Sequence, residues 1–380
     1  MLEKSDNGTG EIEVVNRRHV LQMGVGLGAA GSASLSVDAS SARPLTTPFS
    51  RSLAIAHPFV CAGMAFVCEK PALAIAVAKA GGVGCLAGSL LSPSTLSSRV
   101  QVVKEATDGP FHINLLTPFL HVDQVSVCIE HKAPAVSFHW GLPAASIISR
   151  LIDADIEVWA QVGNVVDAMT AKALGVSCIV AQGSEAGGHN YGSLPLTTLL
   201  PLVRDAIGED TLLLGAGGIV DGRTAAAAFV AGADGIWVGT RLIATHEANA
   251  HEDYKHRLVA ASSEQTVLTS VYGPEAPTFN PMRVLRNATV DEWQHRVQEL
   301  PHDRSDMATI GTTVFAEQHR EVKPFDSFSP VPQTTGDFEQ MPMMSGQGVG
   351  QINDIVPAGV VVKRMINGAA RVLAEQRLSL

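Results

Sequence analysis

The chain has 380 residues, of which 46% are hydrophobic and 17% charged, a balance that argues for a large core and against disorder. A formal net charge of −10 with no long basic run argues against nucleic acid or an anionic membrane as partner, and 5% aromatic content against a base-stacking platform. Five scattered cysteines, Cys61, Cys68, Cys85, Cys128 and Cys178, form no C-x-x-C pair. They read as small buried hydrophobes, with no disulfide framework and no metal site expected.

In chain order, residues 1–42 come first. Arg17-Arg18 leads through His19-Val20-Leu21 into a weakly apolar, glycine- and alanine-rich stretch that ends in small residues. This pattern predicts a twin-arginine signal, hence the twin-arginine export machinery as a partner and an exported, periplasmic location. The other reading is a polar tail on a cytoplasmic protein. Strongly apolar residues are too few here for a membrane-spanning helix.

From Pro58 on, short apolar runs alternate with helical patterns. Strands are expected at 59–64, 83–87, 111–116, 135–140, 157–162, 178–182, 212–216 and 236–239. The runs are continuous and not alternating, as expected of parallel strands buried on both faces. Helices are expected at 71–80, 93–106, 123–131, 144–152, 165–174, 196–207 and 223–231, several opening on a good starter such as Ser92-Pro93. Eight strands close an α/β fold of the (β/α)8 TIM-barrel kind. A doubly wound sheet is the alternative, but its usual G-x-G-x-x-G turn is absent after the first strand, which ends Ala62-Gly63-Met64-Ala65. The barrel would use residues 43–246 and 345–380, with a mostly helical insertion over 247–344 after strand eight. Helical pieces are expected there at 251–262, 289–299 and 307–317, and a final amphipathic helix at 358–373.

Barrel ligands bind at the C-terminal ends of the strands, and phosphates commonly sit after strands seven and eight. Those loops read Gly215-Ala216-Gly217-Gly218-Ile219 and Gly239-Thr240-Arg241. Either alone would be an ordinary tight turn. Together they predict a phosphate-bearing cofactor or substrate. Strand six empties into Gln182-Gly183-Ser184-Glu185-Ala186-Gly187-Gly188-His189. Its glycines permit close backbone approach, and its imidazole titrates near neutrality, suited to giving or taking a proton. The plainer reading is a glycine loop whose histidine meets solvent. The amides of Asn114 and Gln182, which donate and accept at once, match the edge of a flavin ring.

These pieces, with Ala80 to Gly84, Val136 to Pro143 and Ser345-Gly346-Gln347-Gly348-Val349-Gly350, occur in order over nearly all of the chain beyond residue 50. In them the chain resembles the nitronate monooxygenase family, formerly the 2-nitropropane dioxygenases. The resemblance implies FMN as cofactor and oxidation of alkyl nitronates, with nitroalkanes as further substrates, by dioxygen. It places the cofactor phosphate on Gly217, Gly218, Gly239 and Thr240. It places Gly63, Met64, Ala65, Asn114, Gln182, Gly187 and Gly188 along the ring and ribityl chain, and His189 beside the flavin as catalytic base or substrate-orienting group. His139, Ser345 and Gln347 become pocket residues, and a homodimer is a further expectation. Two departures stand out: Gly63 occupies a usual proline position, and Asn190-Tyr191 delay the next glycine, Gly192.

The alternatives are a flavin-dependent enoyl-acyl-carrier-protein reductase, a non-catalytic flavin-binding protein and a phosphosugar isomerase. The first suits an acidic exported chain poorly, and the last would want a strand-end Glu or Lys. His246, His251 and His256 are spaced to scatter around a helix, and Arg283, Arg286 and Arg296 read as solvated surface.

Overall fold

The computed structural model describes residues 45–190 and 192–378. The expected signal over 1–42, and Tyr191, lie outside the described residues.

Eight strands run parallel: β1 (Phe59–Cys61), β2 (Gly84–Ala87), β3 (Phe111–Leu116), β4 (Ala135–His139), β5 (Glu157–Val162), β6 (Cys178–Gln182), β7 (Leu212–Ala216) and β8 (Gly235–Val238). Neighbours pair in sequence order from β2 to β8, and β8 then pairs with β1. A parallel bridge between Val60 and Val83, with Cys61 N–H donating to the Val83 carbonyl at 2.9 Å, joins β1 to the start of β2 and closes the ring. The fold is the expected (β/α)8 barrel.

Both faces of each strand are buried, which explains the unbroken apolar runs. In β5, Trp159 points into the barrel while Val158 and Ala160 pack outward among the helices. Inside, His112 sits between Trp159 and Trp237 with ring centroids 5.4 and 4.7 Å away. Its nitrogens meet Ser137 Oγ at 2.9 Å and the Cys61 carbonyl at 2.8 Å, so the buried polar ring is fully satisfied. The short helix Pro48–Ser52 plugs the barrel's N-terminal end, Phe49 packing on Trp159 at 5.7 Å.

Eight helices surround the barrel: Pro71–Lys79, Pro93–Ala106, Val122–Glu130, Ala145–Ile152, Val165–Ala173, Leu196–Ile207, Gly222–Val230 and Ala358–Leu378. Their starts are set by local chemistry: Ser92, Asn164 and Asp221 accept from the backbone N–H three residues on. The last helix closes the circle against Gly222–Val230, where a side chain on Gly222 would meet the Gly368 backbone at 2.5 Å.

The segment between β8 and the last helix corrects the sequence expectation of a mostly helical insertion. The helices Glu252–Ala260 and Ala288–Trp293 are present, but residues 307–317 are not helical. Gly311–Phe315 and Gln318–Val322 instead form an antiparallel hairpin, flanked by Thr335–Gly336. Its turn residues Ala316 and Glu317 have φ of +48° and +66°, conformations that favour Asn-Gly. Without those residues the hairpin carries no turn signal, and the β-branched run Thr312-Thr313-Val314 was the only clue. A second ladder pairs Thr266–Thr269 with Met282–Leu285, which in turn pairs with the two-residue strand Gly188–His189. The insertion is thus stitched into the loop after β6.

Candidate active site

A cavity of about 350 Å³ opens at the C-terminal ends of the strands. Of the residues expected there, Gly63, Met64, Ala65, His139, Gln182, Gly187, Gly188, His189, Gly217, Gly218, Gly239 and Thr240 line it. Three others do not. Asn114 lies beneath Gly63, its Nδ2 donating to Ser137 Oγ at 2.9 Å, and a side chain at Gly63 would collide with the Asn114 amide. Glycine at that position is therefore imposed by Asn114. Ser345 is buried behind the cavity wall against Gly187, and Gln347 is exposed, with its backbone N–H donating to the Glu185 carbonyl at 2.9 Å.

The loop from Gln182 to His189 is held from every side. Glu185 accepts the Leu196 N–H at 3.0 Å and so caps the helix Leu196–Ile207. Asn190 is buried, its Nδ2 donating to the Gly183 carbonyl at 2.9 Å and its Oδ1 accepting from Gly192 N–H at 3.1 Å. The unusual asparagine thus ties the loop's two ends together. Arg283, expected on the surface, is instead buried. Its guanidinium donates to the Ser184 carbonyl from Nε at 3.2 Å and from NH2 at 2.9 Å. Sequence periodicity gave no sign of this, because the partner is a backbone carbonyl 99 residues away.

Packed against this loop, Gly217 and Gly218 have φ of +107° and +67°, and a side chain at Gly217 would meet the Gly183 carbonyl oxygen at 3.1 Å. Only glycine suits this bend. Among the described residues, the N–H groups of Gly217, Gly218, Gly239 and Thr240 take part in no backbone hydrogen bond. They are therefore free to bind an oxyanion. Thr240 Oγ1 accepts from Gly346 N–H at 3.0 Å, bringing the Ser345–Gly350 stretch to the same cradle.

His189 is half-buried and lines this space. Gln182 Nε2 donates to its carbonyl at 3.2 Å, leaving Gln182 Oε1 unpaired and buried. The Nδ1 atoms of His189 and His139 are likewise buried without a hydrogen-bond partner. Burial, with a smaller contribution from neighbouring His139, pushes the His189 imidazole down to about 3. Burial alone takes His139 down to about 4, and a backbone contact at His189 only partly offsets it. Both rings are neutral at physiological pH.

Aromatic side chains roof the histidine. Phe279, from the turn Pro277–Phe279 of the insertion, stacks on His189 with ring centroids 3.7 Å apart and planes inclined at 30°. Trp140 packs edge-on to both, at 6.0 and 5.0 Å, and its Nε1 donates to the Thr278 carbonyl at 2.8 Å. Phe279 and Gln161, which also lines the cavity, were not identified from sequence. Gln161 had a signal, an amide near the end of an apolar strand; Phe279 lay in an irregular segment and had none.

The model of the family described as "Nitronate monooxygenase" matches residues 47–122 and 117–368. A relative described as "Probable nitronate monooxygenase" from Bacillus subtilis is 26% identical over 363 residues, covering 84% of this chain and 96% of its own. A (3aS,4S,5R,7aS)-5-hydroxy-7a-methyl-1-oxo-octahydro-1H-indene-4-carboxyl-CoA dehydrogenase from Mycobacterium tuberculosis is 35% identical over 251 residues, covering 65% and 68%. Among solved structures, nitroalkane oxidase from Streptomyces ansochromogenes superposes with a TM-score of 0.69 at 25% identity, covering 86% of this chain and 99% of that one. With the family model spanning barrel, insertion and last helix alike, the chain belongs to the nitronate monooxygenase family and is an oxidoreductase enzyme.

Proposed function

We propose that this enzyme uses FMN to oxidise alkyl nitronates with dioxygen. The observation that carries the reading is a half-buried, neutral His189 lining a cavity that also holds a cradle of free backbone N–H groups. The residues present fit the cofactor. Gly217, Gly218, Gly239 and Thr240 would hold its phosphate, and the unpaired Gln182 Oε1 and nearby Gly63 to Ala65 would meet the ring and ribityl chain. Bound there, FMN supplies the redox chemistry that no side chain of the site offers.

The protein's own part is to bind and orient the substrate. A nitronate is an anion, and a neutral imidazole can donate one N–H to its oxygens. A nitroalkane must first lose a carbon-bound proton. His189 would take it, and the C–H electron pair would pass to the nitro group, giving the nitronate and an imidazolium. The burial that keeps His189 neutral also makes it a weak base, so preformed nitronates are the favoured class.

The visible spectrum of the purified enzyme tests this. Flavin bands that bleach anaerobically on adding propionate 3-nitronate are expected; a protein that binds no added FMN ends the reading. A second reading, a flavin oxidoreductase of bulky acyl thioesters, draws on the 35%-identical carboxyl-CoA dehydrogenase. It predicts turnover of a CoA thioester with a nicotinamide as redox partner, and no bleaching by nitronate.

A further inference from the structure

Deepening the reading of His189 as the proton acceptor, on which it rests, we propose that Phe279 is the specificity-determining residue of this site. Its ring, held over His189 by Trp140, biases the enzyme toward preformed nitronates.

The geometry is specific. At 3.7 Å and 30°, the Phe279 ring lies nearly flat on the imidazole, and a backbone contact from the same residue meets that ring. A face covered by an aromatic ring is closed to water, and a dry imidazole resists taking a proton. The cover belongs to the insertion, not to the barrel, and its place is fixed by the hydrogen bond from Trp140 Nε1 to the Thr278 carbonyl. Trp140 itself has φ of +65°, a strained backbone conformation for a bulky residue next to the reacting group. Phe119 packs edge-on to Phe279, ring centroids 5.2 Å apart.

Among the described residues, no nearby charge competes with this effect. From β4 the neighbouring titratable group is His139, itself neutral. On the adjoining ladder, the Arg283 guanidinium is turned to the Ser184 carbonyl. At the cavity's outer wall, Glu275 pairs with Arg304, and Arg320 pairs with Asp326 through one nitrogen at 2.7 and 2.9 Å. Hydration, governed by Phe279, is what sets the basicity of His189. A nitronate needs only a hydrogen-bond donor and tolerates the roof, whereas a nitroalkane needs a base and is penalised by it.

The test combines histidine NMR on 15N-labelled holoenzyme with the ratio of kcat/KM for a nitroalkane to that for its nitronate. In the unmodified enzyme the His189 resonance, assigned with His189→Asn, should not titrate between about pH 5 and 9. In Phe279→Ala it should titrate inside that window, and the nitroalkane-to-nitronate ratio should rise about tenfold. Trp140→Phe, which frees the turn without opening a hole beneath it, should move both readouts the same way by less. The rise should vanish in Phe279→Ala/His189→Asn. If both single variants leave titration and ratio unchanged, or the ratio falls, the proposal is overturned. If His189 becomes titratable and the ratio rise survives in the double variant, the role of His189 as base fails instead.

Discussion

At the scale of single residues, the site depends on where protons can go. His189 carries a buried Nδ1 without a hydrogen-bond partner and lines the cavity. Replacing it with asparagine keeps a hydrogen-bond donor but removes the base. His189→Asn should therefore lower nitroalkane turnover by about 10²- to 10⁴-fold while nitronate oxidation partly survives. Steady-state assays with both substrate forms, prepared separately, check this; equal loss of both would sink the division of roles. Glu185 and Asn190 belong to the same loop but do structural work, one capping a helix and the other bridging Gly183 to Gly192. The Glu185 carboxylate is engaged by the Leu196 backbone N–H.

Among elements, the turn after β7 matters most. Gly217 and Gly218 adopt positive φ in succession where the chain must bend to expose N–H groups. Gly217→Ala should cost about 1–2 kcal/mol in backbone strain and push against the Gly183 carbonyl, lowering FMN affinity about tenfold. Gly208→Ala serves as control. That residue also has positive φ, +70°, but open space around it and no place on the cavity wall, so it should lose stability without losing FMN affinity. FMN titration followed by tryptophan fluorescence, beside thermal unfolding, separates the two effects. The hairpin Gly311–Phe315/Gln318–Val322 teaches the opposite lesson about legibility. The barrel strands were readable because they are apolar throughout and regularly spaced, whereas this hairpin is exposed on much of its surface and turns on Ala316-Glu317.

At the scale of the whole molecule, desolvation holds three histidine rings neutral, buried His112 at about 4 and His139 at about 4, and half-buried His189 at about 3. In the unfolded chain each would titrate near 6.5. Above that value neither state binds the proton. As pH falls below it, the unfolded chain takes up protons that the folded one refuses, so stability drops until the folded-state values are reached. By pH 5 the loss is on the order of 2 kcal/mol per histidine. Urea unfolding should show stability falling steadily from about pH 6.5 to 4, and His112→Gln, well away from the cavity, should flatten that slope by about a third. A slope unchanged in that variant would mean that His112 is hydrated or protonated in the folded state.

The sequence by itself determined the barrel and most of the cavity wall. Strands buried on two faces must be apolar along their whole length, and glycines at strand ends mark where backbone meets ligand. Those constraints are local, and local constraints are written in consecutive residues. Only the tertiary structure decided what covers the histidine. The partners of the loop after β6, namely Arg283 on Ser184, Met282 beside His189 and Phe279 on its ring, come from a segment about 90 residues downstream with no periodicity of its own. Their roles follow from packing across that distance, and packing is not encoded in any single stretch of chain.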